Sequence, residues 1–204
     1  MITIDGYSGS GKSTQAYKLS LALGCPSDSL IGTAGSRISY FDAHRKLEYT
    51  PQVEFYDFLG LYSGKAAFYS SLLRSHDGII IDEFFYALSS LWRGSRHISL
   101  FRDWISHFIC AIERGILGLP KLSIYLDVPS SVRLTRVFSR SCSLIPDDFV
   151  EVRDRLSVYD ASDSIDRWQA LANDLDFFHI VDGSGSSDDV HERIIDLCKI
   201  KGVL

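Results

Sequence analysis

Closely spaced cysteine pairs of the kind that mark zinc cages and dense disulfide frameworks are missing from this chain. Cys25, Cys110, Cys142 and Cys198 stand apart, without C-x-x-C spacing or neighbouring histidine pairs. They are expected to be reduced, mostly buried thiols in a cytoplasmic protein. The six histidines are equally scattered. No internal repeat and no low-complexity segment is present, and no apolar run approaches the length of a membrane span. Asp5 and Lys12 interrupt the amino terminus before an apolar core of secretory length could form, so no signal peptide is expected. A basic excess is missing too. The net charge of −5 argues against a general nucleic-acid surface while leaving room for a local basic site. What remains is ordinary for a globular protein: 46% apolar and 23% charged residues in 204 positions. That length suits a single domain, 1–204, with a substantial core.

Against this plain background one stretch stands out: Gly6-Tyr7-Ser8-Gly9-Ser10-Gly11-Lys12-Ser13, followed by Thr14. It fits G-x-x-x-x-G-K-[ST] at every fixed position. Before it, Met1-Ile2-Thr3-Ile4 suits a buried parallel strand; after it, Ala16, Leu19 and Leu23 recur at helical spacing until Gly24 ends the helix. Strand, glycine-rich turn and helix is the context this motif requires. The glycines let the backbone wrap a polyphosphate with its N–H groups pointing inward. A helix beginning near Lys12 adds its positive end. Lys12 can reach the β- and γ-phosphates, and the Ser13 hydroxyl can hold Mg2+. The residues from Gly6 to Thr14 therefore predict a nucleoside triphosphate site, with ATP as the expected ligand.

The rest of the chain alternates strands and helices. Leu30-Ile31-Gly32-Thr33 suggests a short strand. The segment 34–45, with Arg37, suits either a loop facing a ligand or an ordinary surface connection. Thr50-Pro51 opens a long amphipathic helix carrying Phe58, Tyr62 and Lys65. Its aromatic stripe packs a core by default, though Phe58 or Tyr62 could stack on a base. Ile79-Ile80-Ile81-Asp82-Glu83 reads as a buried strand ending in two carboxylates, and Asp82 there can serve Mg2+ or its waters. The segment 88–104 is ambiguous and 105–116 continues helically. Leu122–Asp127 is a further strand, and Pro129 opens a helix with Arg133, Arg136 and Arg140 on one face. Such a row is either a solvated basic face or an arginine lid over ATP, and its place after a strand of a nucleotide-binding sheet favours the lid. Helices follow over 147–159 and around 165–173. Phe177–Val181 is the last strand, and Val190, Ile194, Leu197 and Cys198 line the closing helix. Such alternation predicts an α/β fold, a parallel sheet with helices on both faces and the ligand beyond the strands' carboxyl ends.

With these pieces in order the chain resembles the thymidylate kinase branch of the P-loop nucleoside and nucleotide kinases. The likeness rests on Ile4-Asp5-Gly6 through Thr14 and on Leu119 to Pro129. It also rests on Arg136 and Arg140 and on the pattern Phe149-Val150-x-x-Arg153-x-x-Leu156-x-x-Tyr159. It implies a P-loop kinase fold with a helical lid at about 136–160, and ATP- and Mg2+-dependent phosphoryl transfer to a nucleotide, often by a homodimer. The departures fall on the acceptor side. The family usually has Asp-Arg where this chain has Asp82-Glu83, the phosphate-loop carboxylate is Ser8 here, and the long helix offers Lys65 in place of an arginine. A carboxylate at the acceptor's phosphate would repel it by roughly 4 kcal/mol at 4 Å and an effective dielectric near 20.

Three functions are therefore weighed. In a nucleoside monophosphate kinase, Lys12, Arg136 and Arg140 clamp the transferring group, Ser13 and Asp82 hold Mg2+, and Arg37 and Lys65 hold the acceptor phosphate. In a kinase acting on an uncharged hydroxyl of a nucleoside, a hydroxymethylated base or a small metabolite, Glu83 is the general base. In an ATPase switch, Glu83 orients water. The first stands slightly ahead because the resemblance spans the chain.

Overall fold

The computed structural model describes residues 1–7, 9–27, 76–82, 120–140, 169, 172, 173 and 175–204. The strand expected at 30–33, the helices over 51–73, 88–116 and 147–159, and Cys110 and Cys142 lie outside them. Of the helix expected around 165–173, positions 169, 172 and 173 are described, and all three are helical.

Four strands and three helices order the described chain. Strand β1 is Ile2–Gly6 and β2 is Ile80–Asp82; β3 is Leu122–Asp127 and β4 is Phe178–Asp182. Helix α1 is Lys12–Leu23, α2 is Ser130–Arg140 and α3 is Ser187–Ile200. The strands form one sheet in the order β2-β1-β3-β4, every pair parallel, as the alternation predicted. From β1 the chain steps to one side to make β2, then crosses to the other side for β3. The reversal point lies at the carboxyl end of β1, where such sheets open a crevice for ligands.

Side-chain alternation along the strands builds two different faces. One carries Ile2, Ile4, Ile80, Leu122, Ile124 and Leu126, packed with Ala16 and Leu19 of α1 and Val190, Ile194 and Cys198 of α3. Burying each large aliphatic side chain here is worth about 1.5–3 kcal/mol. The opposite face carries Thr3, Asp5, Ile81, Ser123, Tyr125 and Phe178, and these are also out of water. A sheet buried on both faces is the usual fate of parallel strands. Polar members of the second face find partners: Thr3 Oγ1 donates to Ser123 Oγ at 2.9 Å. Burial pushes the Cys198 thiol up to about 11, so it stays protonated and unreactive.

Strand ends differ from the expected ones by a residue or two. β1 runs on through Asp5 and Gly6, which pair with Tyr125 and Leu126, because β3 continues to offer ladder partners after the pairing with β2 ends at Ile4. β4 starts at Phe178 and ends at Asp182, one residue later than expected. Gly24 ends α1 as predicted, in the left-handed region at φ 62, its N–H bonded to the Ser20 carbonyl. Helix α3 opens with a complete capping box: Asp189 N–H donates to Ser186 Oγ at 3.2 Å, and Ser186 N–H donates to Asp189 Oδ2 at 3.0 Å. The bonds from Ser186 hold the Asp189 carboxyl below its ordinary value of 3.8. Their contribution is present above that value and is lost as pH falls through the lower folded one.

The central position of Ile124, fully buried between α1, α3 and the other strands, makes it the sharpest test of this core. Ile124→Ala should destabilise the protein by about 2–5 kcal/mol in urea unfolding, with an unchanged m-value.

Candidate active site

The site begins where β1 stops. Ser10 N–H donates to the Tyr7 carbonyl at 3.0 Å, curling the chain back on itself before α1 starts. Gly9 and Gly11 make the curl possible, at φ 82 and φ 95. At Gly9 the space is as restrictive as the angle, since an added Cβ would stand 2.7 Å from the Arg133 carbonyl oxygen. Gly11 is the N-cap of α1, and no side chain caps that helix.

The starts of α1 and α3 make a contrast. Helix α3 satisfies its first amides with its own serine and aspartate. Helix α1 has no capping side chain and no acid in its first turn, so its positive end faces the crevice without a counter-charge of its own. Such an end is an anion site. Lys12 sits beside it, 6% exposed, with Nζ donating to the Tyr7 carbonyl at 3.2 Å. Ser13 and Thr14, the next residues of α1, are exposed to solvent. Asp82 ends β2 in register with Ile4, on the α1 side of the sheet, and is nearly buried.

Helix α2 closes the loop from the far side. Arg136 Nη1 donates to the Ser10 carbonyl at 3.3 Å, and its two terminal nitrogens reach the carbonyls of Gly183 and Gly185 at 3.0–3.2 Å. One guanidinium thus ties the glycine loop to the turn after β4. That turn is itself tight. Gly183 lies against Val128, where a Cβ would meet Cγ2 at 2.5 Å, and Ser184 N–H donates to Asp182 Oδ1 at 2.9 Å. Arg193 Nη1 holds the carbonyls of Asp182 and Ser184, each at 2.8 Å. At the paired ends of β3 and β4, Asp127 and Asp182 are register partners. Burial and the Asp182 carboxylate raise the Asp127 carboxyl above its usual range, and Arg133 opposes them.

The structure therefore brings together Gly6, Tyr7, Gly9, Ser10, Gly11, Lys12, Ser13 and Thr14, with Arg136 tied to them and Asp82 at the adjoining strand end. Ser8, Arg37, Phe58, Tyr62, Lys65, Glu83 and the Arg140 side chain lie outside the described residues. The arginine row does not form the uniform lid face expected for it. Arg133 is 2% exposed and turned into the protein, with Nε on the Val128 carbonyl at 2.9 Å, whereas Arg136 is half-buried over main-chain carbonyls. Sequence reasoning missed the turn at Gly183–Gly185. Its signal was there in the run Asp182-Gly183-Ser184-Gly185 after the last strand, a composition that makes close main-chain approaches cheap.

Comparison with known proteins places this geometry. A thymidylate kinase of Chlorobium chlorochromatii (strain CaD3) is 34% identical over 154 residues, 69% of this chain. The match spans 65% of that enzyme's own length. No family model matches the chain. Among solved structures, deoxyadenosine kinase from M. mycoides superposes with a TM-score of 0.59 at 18% identity, covering 98% of both chains. Thymidylate kinase from Ehrlichia chaffeensis superposes at 0.52 with 16% identity over 96% of both. The chain is similar to part of a thymidylate kinase and shares its fold with a deoxyadenosine kinase and a thymidylate kinase. Among the described residues no helix is long and apolar enough to cross a membrane.

Gly9 and Gly24 both hold positive φ, but a methyl at Gly24 meets nothing within 4 Å. Gly24→Ala should cost about 1–2 kcal/mol from the backbone angle alone. Gly9→Ala carries in addition its clash with the Arg133 carbonyl, and should lower the midpoint of urea unfolding by clearly more.

Proposed function

We propose that this protein is an ATP- and Mg2+-dependent kinase that transfers the γ-phosphoryl group of ATP to a deoxynucleotide-like acceptor. The observation that carries the reading is the amino end of α1, uncapped by any side chain, beside the Lys12 ammonium. The likeness to a thymidylate kinase supports the nucleotide class of acceptor.

The glycine loop binds the β- and γ-phosphates through its amides, and Lys12 leaves the Tyr7 carbonyl to neutralise the γ-phosphate. Arg136 holds the loop and the turn after β4 in one arrangement, and its charge lies close to where the transferring group stands. Arg140, one turn further along α2, adds a second positive charge. The donor set fits magnesium. A hydroxyl from Ser13 and a carboxylate from Asp82 are hard oxygen ligands of the kind magnesium takes. Magnesium in such sites keeps several waters and takes its remaining ligands from the nucleotide. When bound, the ion would neutralise phosphate charge. Phe58 and Tyr62 would stack on the acceptor base, with Arg37 and Lys65 on its phosphate. The protein would work in the cytoplasm as a single domain with a lid over about 136–160, or as a homodimer of such domains.

A second reading has its own support. Glu83 directly follows Asp82, the last residue of β2. A carboxylate there suits deprotonation of an uncharged hydroxyl better than the holding of a phosphate. M. mycoides deoxyadenosine kinase, whose fold this chain shares, is named for such an acceptor.

Labelled ATP offered with deoxynucleosides and with deoxynucleoside monophosphates separates the two readings. Label in a diphosphate supports the first, label in a monophosphate the second, and free phosphate alone would replace both with an ATPase. Lys12→Ala should reduce transfer by at least about a hundredfold, in line with loss of a charge that acts on the transferring group. Under the second reading Glu83→Gln should abolish transfer while leaving ATP binding intact. Under the first it should retain turnover.

A further inference from the structure

Arg133 is a charged side chain in a place that a leucine could fill. It is 2% exposed, and burying a guanidinium is costly unless the charge is used. Its Nε donates to the Val128 carbonyl at 2.9 Å, which fixes the side chain at the mouth of α2. Its guanidinium carbon then stands 4.9 Å from the centre of the Tyr7 ring, over its face, where a cation is attracted by the π-electrons. Tyr125 meets the same Tyr7 ring. The two tyrosine rings meet edge to face, 6.1 Å apart at 85°. Burial, followed by the influence of Tyr7 and Asp127, keeps the Tyr125 phenol protonated well above its ordinary range, so this neighbour of the ring is neutral. The main chain of Arg133 takes part as well, since its carbonyl lies against Gly9.

Tyr7 is also the residue whose carbonyl accepts from both Lys12 Nζ and Ser10 N–H. The ring that Arg133 holds and the carbonyl that sets the loop therefore belong to one residue. We propose that Arg133 is a positioning residue for the phosphate loop: by clamping the Tyr7 ring against Tyr125 it fixes the loop, and with it the resting place of Lys12, in the shape that receives triphosphate. The clamp rests on the kinase reading above. It adds to that reading a specific division of labour on α2. Arg136, one turn further along, grips the loop by the Ser10 carbonyl, while Arg133 grips it by a side chain.

A purely structural arginine and a positioning arginine predict different things. The test uses the full chain and reads two quantities, urea stability and Mg·ATP affinity by calorimetry. Arg133→Met removes the bond to the Val128 carbonyl as well as the ring contact, so some loss of urea stability is expected whichever role Arg133 has. A positioning role adds to this an ATP affinity weakened about tenfold in the folded variant, the scale of one desolvated cation–π contact. Tyr7→Leu should weaken binding by a similar factor, and Tyr7→Phe, which keeps the ring, should lose clearly less than Tyr7→Leu. The double variant Arg133→Met with Tyr7→Leu should be no weaker than either single one, because both remove the same contact. In transfer assays the loss should appear in KM for ATP more than in kcat. Unchanged ATP affinity in Arg133→Met, or additive losses in the double variant, would overturn the proposal. Should Arg133→Met not fold, the Tyr7 pair decides: equal affinity of Tyr7→Leu and Tyr7→Phe overturns it, and a clearly greater loss in Tyr7→Leu supports it. A parent chain that takes up no ATP overturns the kinase reading and the clamp together, whereas ATP uptake unaffected by these variants overturns the clamp alone.

Discussion

The first amides of a helix have no acceptor within the helix, and a folded protein must supply one from a side chain, from water or from a ligand. At α3 the supply is local, in Ser186 and Asp189. At α1 the residue in the capping position is Gly11, which has no side chain to offer. The remainder of the site is arranged about that unmet demand. Strand β1 carries the helix start to the reversal point of the sheet, and Gly9 and Gly11 turn the intervening backbone so that it can encircle an anion. Lys12 brings a mobile positive charge to the same spot, resting meanwhile on the Tyr7 carbonyl.

A loop shaped by positive-φ glycines is entropically expensive to hold still. The structure answers with contacts from behind. Arg136 binds the Ser10 carbonyl and the carbonyls of Gly183 and Gly185, so the loop and the turn after β4 share one guanidinium. Arg133 lies against the Tyr7 ring, and its own carbonyl lies against Gly9. Helix α2 is thus attached to the loop by two side chains one turn apart, and Gln15 of α1 is attached to the start of α3 by a bond to the Ser187 carbonyl at 2.9 Å. Pre-organisation of this kind leaves less ordering to be done when a ligand arrives.

Much of this was legible in the chain before folding, and the reason is local. The spacing from Gly6 to Ser13, the β-branched run before it and Gly24 after it each carry their meaning within a few residues. Strand, loop, helix and helix end all stand where those signals put them. Leu122–Asp127 and the apolar positions of α3 were legible for the same reason. Arg133 was not. Residues 133, 136 and 140 share a helical face in sequence, yet 133 is buried and 136 is half-buried. The difference depends on Tyr7 and Val128 facing the first of them, a tertiary fact with no local trace. The turn at 183–185 escaped notice similarly, because its close approach to Val128 and Arg136 depends on how β3 and β4 align. Acceptor specificity is the least legible part, since Arg37 lies in a segment of weak pattern, while Phe58, Tyr62, Lys65 and Glu83 belong to clear sequence patterns whose spacing does not tell packing from ligand contact.

The central claim is that the main chain at the start of α1 is a polyphosphate receptor. The most direct measurement is a nuclear magnetic resonance titration of the 15N-labelled protein with Mg·ATP, following the amide signals of Gly9, Gly11, Lys12 and Ser13. The account predicts that these four move further than amides elsewhere in the described core, such as those of α3. Comparable or larger movement at α3 with these four unmoved would contradict it.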